Sequence, residues 1–174
     1  MSGERYPWYA SVQGESVEQG DIFDSCPVFR LPPEAADKSI TELDVDWFSY
    51  DLIVMSQSCD LIAGREKIAD VLLCTVWTPE EVQGGARPGD LEQIRKGQRP
   101  RYHLLAESKL EPMTKDVRIV DFGEVYSLPL KLLRRRAGQA PRLRLLPPYR
   151  EHLSQGFARY FMRVGLPVDI PPFK

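Results

Sequence analysis

Apolar residues in this chain are gathered into short runs that are separated by charged and proline-containing stretches. The densest run lies in residues 50–56, and residues 56–60 then carry a hydroxyl, an amide, a second hydroxyl, a thiol and a carboxylate. A short apolar run that is rich in β-forming residues and bounded by polar ones is typical of a buried strand. We therefore predict a central strand whose polar end reaches the surface, where open sheets often bind ligands.

Further strands are predicted from similar runs. Residues 68–77 form a second near-continuous apolar run, and we expect it to pair antiparallel with the central strand across about ten residues. Other strands are expected from residue 21 toward residue 29, at 101–105 and at 117–125. Residues 31–46 are acidic, contain prolines and lack periodicity, so they are expected to form a surface loop.

Helices are indicated at four places. Thr78 followed by Pro79 is a helix-start signal, and residues 90–96 and 128–136 suit short helices. The clearest helix is predicted over residues 149–164, because it has an apolar face at helical spacing and a glycine directly after it. That face consists of Leu153, Phe157, Tyr160, Phe161 and Val164.

These elements predict a single α+β domain over residues 19–174, preceded by an N-terminal arm over residues 1–18. Trp8 and Tyr9 are expected to attach the arm to the body of the protein. Fifteen prolines divide the chain into short elements. We therefore expect a small, strongly bent antiparallel sheet or small barrel, closed by the C-terminal amphipathic helix.

The composition, with 43% hydrophobic and 28% charged residues, is typical of a soluble globular protein. No apolar run approaches the roughly 20 residues of a membrane-spanning helix, and the N-terminal residues do not resemble a secretory signal. Three cysteines (Cys26, Cys59 and Cys74) are too few for a disulfide framework. We expect a cytoplasmic protein that does not associate with membranes.

Charge is divided unevenly along the chain. Residues 101–174 hold 14 Lys and Arg against 7 Asp and Glu, whereas residues 1–100 hold 9 against 18. This asymmetry indicates an anionic partner for the basic part, RNA first, because arginine binds phosphates through paired hydrogen bonds. The alternative is that the two parts neutralise each other, within the fold or in a homodimer. The candidate nucleic-acid-binding residues are Arg134, Arg135, Arg136, Arg142, Arg144, Arg159 and Arg163.

A second candidate site lies at the end of the central strand. Cys59, next to Asp60, would be a nucleophile if a nearby histidine raised its thiolate fraction. His103 is the better placed of the two histidines, since it lies on a predicted strand of the same sheet. Ser56 and Ser58 complete this candidate catalytic site. The structural alternative is that Cys59 is a small buried apolar residue and that Asp60 caps a turn.

Metal and cofactor sites are not expected. Structural zinc sites show paired ligands at short spacing, and the cysteines and histidines of this sequence form no such pair. A phosphate-binding loop and a dinucleotide-binding fingerprint are likewise missing from the sequence.

The order of the predicted elements resembles that of the PemK/MazF toxin family, small SH3-like barrels that cut RNA. In that family a Gly-Asp-Ile/Val opening starts the first strand, as at residues 20–22, and an apolar strand ends in a serine, as at residues 52–56. The next apolar strand ends near Thr or Ser, as at residues 71–76. A late strand and short helix, as at residues 117–136, precede a closing helix. The resemblance covers most of residues 19–166 and implies an SH3-like barrel.

The family's RNA-cleaving site pairs an arginine before the second apolar strand with a hydroxyl residue after the third. At the first position this chain has Asp44, Asp46 and Asp51, while Thr75 or Thr78 stands near the second. Without the cation, charge that develops on a phosphate has no stabiliser. We therefore predict a bacterial accessory protein of toxin or defence type that binds RNA or another anionic partner without cutting it. The alternatives are a hydrolase or nuclease acting at the strand-end site, and a protein-interaction module without catalysis.

Overall fold

The computed structural model of the protein describes residues 6–32 and 45–162. This part of the chain contains seven strands and three α-helices. In chain order they are β1 (Tyr9–Val12), β2 (Asp21–Arg30), β3 (Asp46–Val54), β4 (Asp70–Trp77), α1 (Pro88–Arg95), β5 (Tyr102–Leu105), β6 (Arg118–Pro129), α2 (Leu130–Gln139), β7 (Arg142–Leu145) and α3 (Tyr149–Phe161).

All seven strands belong to one antiparallel sheet with the order β1-β7-β2-β3-β4-β6-β5. The predicted α+β class and the antiparallel pairing of β3 with β4 are confirmed. The SH3-like barrel is wrong, because β1 and β5 are sheet edges and no backbone ladder joins them within the described residues. The edges nevertheless approach each other, since the Tyr9 hydroxyl of β1 donates a 2.7 Å hydrogen bond to the carbonyl of Ala106, directly after β5.

The sheet carries an apolar core on each of its two faces. Successive side chains of a strand point to opposite faces, so β3 places Leu52 and Val54 on one side and Ile53 on the other. Helix α2 covers the first side through Leu133 and helix α3 covers the second through Leu153, and all five side chains are fully buried. A closed barrel has one packed interior, whereas this open sheet needs a cover on both sides. Because β3 and β4 are buried on both faces of the sheet, their sequences are near-continuous apolar runs.

The helix predicted from Thr78 is wrong, because this segment is a turn. Thr78 makes the reciprocal hydrogen bonds of a helix start: its hydroxyl accepts from the N–H of Glu81 at 3.2 Å, and its own N–H donates to the Glu81 carboxylate at 2.9 Å. Gly84 and Gly85 follow with φ of +85° and +68°, a backbone conformation that cannot continue a helix. The next helix along the chain is α1, which begins at Pro88 and confirms the separate helix predicted at residues 90–96.

The C-terminal helix ends earlier than predicted. Helix α3 ends at Phe161, and positions 163–164 of the prediction lie outside the described residues. Most of the predicted loop at residues 31–46 also lies outside them. Among the helices that the structure describes, none is both long enough and apolar enough to cross a membrane.

Two short strands, β1 and β7, are missing from the sequence prediction. β1 lies within the segment predicted as an arm, and next to it Trp8 stacks on Tyr149 with ring centroids 3.7 Å apart. In β7, arginines alternate with the buried Leu143 and Leu145. Because β7 pairs with both β1 and β2, part of the predicted basic band is a strand inside the sheet.

Candidate functional site

The serines of the predicted catalytic site hold the backbone after β3. Ser58–Asp60 form a single 3-10 turn. The hydroxyl oxygen of Ser56 accepts a 2.9 Å hydrogen bond from the N–H of Leu72, and that of Ser58 accepts one of 3.0 Å from the N–H of Gln19. These bonds tie the segment to β4 and to the residues before β2, which is a structural role.

Cys59 and Asp60 do not meet His103. The exposed Cys59 thiol donates a 3.5 Å hydrogen bond to Asp60, which also pairs with Lys67 at 2.9 Å. The hydrogen bond from Lys67 holds the pKa of Asp60 below its usual value. His103 lies on β5, three strand spacings from β3, or roughly 14 Å along the sheet. The candidate catalytic residues are therefore not assembled in one place, and the alternative of a buried Cys59 is also wrong.

The arginines of β7 are neutralised inside the fold. Asp21 is completely buried, and Arg142 donates a 2.8 Å hydrogen bond to its carboxylate. Arg144 binds the same carboxylate and also Glu18. Charges of the acidic and basic parts of the chain therefore neutralise each other here, which was one of the two interpretations of the charge asymmetry.

The arginines of α2 are mostly engaged as well. Arg134 pairs with Glu66 at 2.6 Å. Arg136 donates to the carbonyls of Asp24 and Ser25 at 2.9 and 3.1 Å. The predicted continuous basic band is therefore interrupted. Of its other members, Arg135 and Arg159 are exposed and have no ion pair within the described residues, and Arg163 lies outside them.

The structure gathers aromatic rings on the side of the sheet that α2 partly covers. We call these four rings from β3, β4 and β6 the aromatic face: Phe48, Tyr50, Trp77 and Tyr126. Tyr50 lies at their centre, with its ring centroid 5.1 Å from that of Trp77 and 5.9 Å from those of the other two. All four rings are half-buried, so each is held by packing and still exposes some of its surface.

An exposed arginine lies over the aromatic face. The Cζ atom of Arg30 is 5.0 Å from the ring centroid of Phe48 and 5.6 Å from that of Tyr50, which is cation–π geometry. Nη2 of Arg30 donates a 2.8 Å hydrogen bond to the Tyr126 hydroxyl, and this bond raises the pKa of Arg30. The aromatic face therefore carries a permanent positive charge.

A row of polar side chains continues the aromatic face toward β5. Thr75 of β4 and Asp121 of β6 are opposite each other in the sheet, and both are buried. Asp121 accepts hydrogen bonds of 2.7 and 2.8 Å from Arg101, which raise the pKa of that guanidinium. The Thr75 hydroxyl donates to Glu124 at 3.4 Å. Because a carboxylate accepts up to about four hydrogen bonds, the half-buried Glu124 retains capacity for a ligand.

Two helices border this surface. Leu73 of β4 belongs to the core beneath Leu133 of α2, whereas Trp77, four residues further along the strand, packs near Ile94 of α1. The aromatic face and the polar row form the surface between these two helices. Among the described residues, no cluster of three or more His, Cys, Asp or Glu side chains could hold a metal ion.

The aromatic face is absent from the sequence prediction because its residues are spread between positions 48 and 126. The available signal is the alternation of Phe48 and Tyr50, which places both rings on the same side of a strand. The register between strands decides that Trp77 and Tyr126 join them, and no short motif encodes that register.

Comparison with known proteins gives no family for this chain. No protein-family model matches it, and no curated protein matches it at a significant level. The resemblance to the PemK/MazF family stays a prediction based on the order of elements, and the barrel that it implies is not present.

Proposed function

We propose that this protein binds single-stranded RNA through the aromatic face, with Arg30 supplying the positive charge. The observation that supports the proposal is the contact of four half-buried rings with one another beneath an exposed guanidinium. Unpaired bases stack on aromatic rings of this kind, and each stacked base contributes about 1–3 kcal/mol. The RNA partner expected from the charge asymmetry is retained, but its site moves from the arginine band to the sheet.

Single strands fit this surface better than duplexes do. Bases in a duplex are stacked on each other and cannot reach half-buried rings, whereas unpaired bases can be splayed out onto them. Arg30 can contact a phosphate or stack on a base, and Glu124 can accept hydrogen bonds from the edge of a base. The proposed role is binding without cleavage, as predicted from the sequence. Neither histidine belongs to this face, because His103 lies on the opposite side of β5 and His152 lies on α3. An accessory role in a toxin or defence system, which the resemblance implies, is part of the same proposal.

The test is fluorescence anisotropy with a labelled single-stranded oligouridylate at two salt concentrations. We expect the wild type to bind, with an affinity that falls as salt rises because counterions are released on binding. Arg30→Ala and Tyr126→Leu should each weaken binding about tenfold, in line with the contribution of one stacked base. A duplex of the same length should bind more weakly than the single strand.

Arg135→Ala is the matched control. Arg135 is exposed on α2 and has no ion pair within the described residues, so its loss removes one charge that, unlike Arg30, makes no cation–π contact with the rings in the described structure. We expect it to leave the affinity almost unchanged. An Arg135 variant that binds as weakly as the Arg30 variant would return the site to the arginine band. A wild type that does not bind RNA at low salt would reject the proposal.

A further inference from the structure

At the edge strand β5, a cleft of about 270 Å³ opens between α1, β5 and α3, and both Tyr102 and His103 of β5 line it. Its polar lining comes from His103 of β5, Arg95 of α1, and three residues of α3. Those three are His152, Gln155 and Arg159. We propose that this cleft binds a phosphate group, either free inorganic phosphate or the phosphate of a nucleotide.

The side chains on α3 are spaced to reach the cleft together. Residues three and four positions apart lie on the same side of a helix, and His152, Gln155 and Arg159 follow one another at intervals of three and four. The buried Leu153 points from α3 into the core instead. One side of α3 therefore packs on the sheet, while an adjacent side presents an imidazole, an amide and a guanidinium to the cleft.

The charge of the cleft favours an anion. None of the described residues that line it is acidic. Arg95 is held by Glu92 through two hydrogen bonds of 2.6 Å, so its charge is largely neutralised. Arg159 is exposed and has no ion pair within residues 6–32 and 45–162. Its planar guanidinium can therefore donate two parallel hydrogen bonds to phosphate oxygens.

Gly156 keeps the floor of the cleft open. A Cβ atom at this position would lie 3.2 Å from the ring of Phe122 and 3.3 Å from Nδ1 of His103. Those distances are tighter than ordinary van der Waals contact, so any side chain here would press on the histidine. Burial lowers the pKa of His103 to about 4, and its neutral imidazole can donate one hydrogen bond to a phosphate oxygen without itself carrying a charge.

A second cleft of about 320 Å³ adjoins the first and shares His103, His152 and Arg95 with it. Trp8 and Tyr149 line this second cleft. Aromatic rings are the usual support for a nucleobase, so a nucleotide could place its base beside them and its phosphate beside Arg159. A nucleotide would therefore occupy both clefts, whereas free inorganic phosphate would occupy only the first.

The test is isothermal titration calorimetry of the full chain with inorganic phosphate and with adenosine monophosphate. We expect the wild type to bind, and Arg159→Gln to weaken binding about tenfold. Arg159 is exposed, so this variant should fold normally. Arg135→Gln, which removes another exposed arginine from α2, should bind like the wild type. Tighter binding of adenosine monophosphate than of phosphate would assign the site to a nucleotide, and equal binding would assign it to phosphate alone.

Two outcomes would overturn the proposal. The first is a wild type that binds neither ligand, and the second is equal weakening by the Arg159 and Arg135 variants, which would indicate nonspecific attraction. The site is independent of the proposed RNA-binding function, because none of the four rings of the aromatic face lines the cleft. Arg159→Gln should accordingly leave the affinity for single-stranded RNA unchanged.

Discussion

At the scale of single residues, Asp21 joins two arginines inside the fold. It is fully buried, accepts hydrogen bonds from Arg142 and Arg144, and also accepts one from the N–H of Glu18 at 3.1 Å. Asp21→Asn removes the negative charge, so that Arg142 loses its ion-pair partner and Arg144 keeps only Glu18. Because breaking a buried ion pair costs about 3–5 kcal/mol, we expect the free energy of unfolding to fall by that amount in urea denaturation.

The control for this prediction is Glu92→Gln. Glu92 pairs with Arg95 on the exposed side of α1, where water screens the interaction. We expect this variant to unfold at the same urea concentration as the wild type. Similar losses in the two variants would contradict the role given to Asp21.

His103 is expected to make stability depend on pH. Burial, together with the nearby charge of His152, lowers its pKa from 6.5 to about 4. Between these values the unfolded chain binds a proton that the folded protein does not bind, so stability decreases as the pH falls. The contribution of neutral His103 is complete above about pH 6.5 and is lost progressively toward pH 4. Urea midpoints measured across this window should fall more steeply for the wild type than for His103→Gln, and parallel profiles would contradict the prediction.

Pairings between residues were beyond sequence prediction because they depend on which strands are neighbours. Asp21 and Arg142 are 121 positions apart and meet because β7 pairs with β2. The sequence showed an acidic part and a basic part, and mutual neutralisation was one of two interpretations. Choosing between them required the position of β7 in the sheet.

At the scale of elements, Gly20 determines how closely β2 and β7 approach. Its φ is +84°, and its N–H and carbonyl bond to Val54 and Leu145, each at 2.9 Å. A Cβ atom at this position would lie 2.9 Å from the Cβ of Leu145 and 3.2 Å from its carbonyl oxygen. We expect Gly20→Ala to lower the free energy of unfolding by about 1–3 kcal/mol, the usual range for strained backbone. Thermal denaturation followed by circular dichroism would measure the loss.

Gly89→Ala tests the same substitution without the close approach. Gly89 lies in α1, and a Cβ atom there meets no atom within 4 Å apart from its chain neighbours and the backbone of its own helix. Alanine favours the helix over glycine by up to about 1 kcal/mol, so this variant should be as stable as the wild type or slightly more stable. If Gly20→Ala behaved in the same way, the described junction between β2 and β7 would be wrong.

Length decided which elements could be predicted from the sequence. The apolar runs of β3 and β4 and the apolar face of α3 are long enough to indicate strands and a helix. β1 and β7 have four residues each, and they are strands because neighbouring strands supply their hydrogen bonds. The helix predicted from Thr78 failed for a related reason, since its start signal is followed by two glycines that end it.

At the scale of the whole molecule, the sequence predicted the class of the fold but not the number of cores. A near-continuous apolar run is expected wherever a strand is buried on both faces, and it does not reveal what covers each face. The resemblance to a barrel family implied a single packed interior. In the structure there is instead a core on each face of a single sheet, one covered by α2 and the other by α3.

Two cysteines, one in each core, allow the opening of the two cores to be measured separately. Cys26 is fully buried in the core beneath α2, and Cys74 is fully buried in the core beneath α3. Burial raises the pKa of their thiols to about 11 and about 12. Neither thiol should therefore react with an alkylating reagent in the folded protein, and each should react when its own core opens. Cys59 is exposed and should react in the folded state, so it is replaced in the experiment.

Because both cores share the same strands, we expect them to open together, as in a two-state domain. In a Cys59→Ser background, Leu133→Ala and Leu153→Ala should each lower the free energy of unfolding by about 2–5 kcal/mol. Each substitution lies in only one core. Within each variant, however, the urea concentration at which Cys26 is labelled and the one at which Cys74 is labelled should fall by the same amount, as measured by mass spectrometry. If Leu153→Ala exposed Cys74 while Cys26 stayed protected, the two faces would unfold independently. The sheet would then not be the common scaffold that connects the aromatic face with the cleft between α1, β5 and α3.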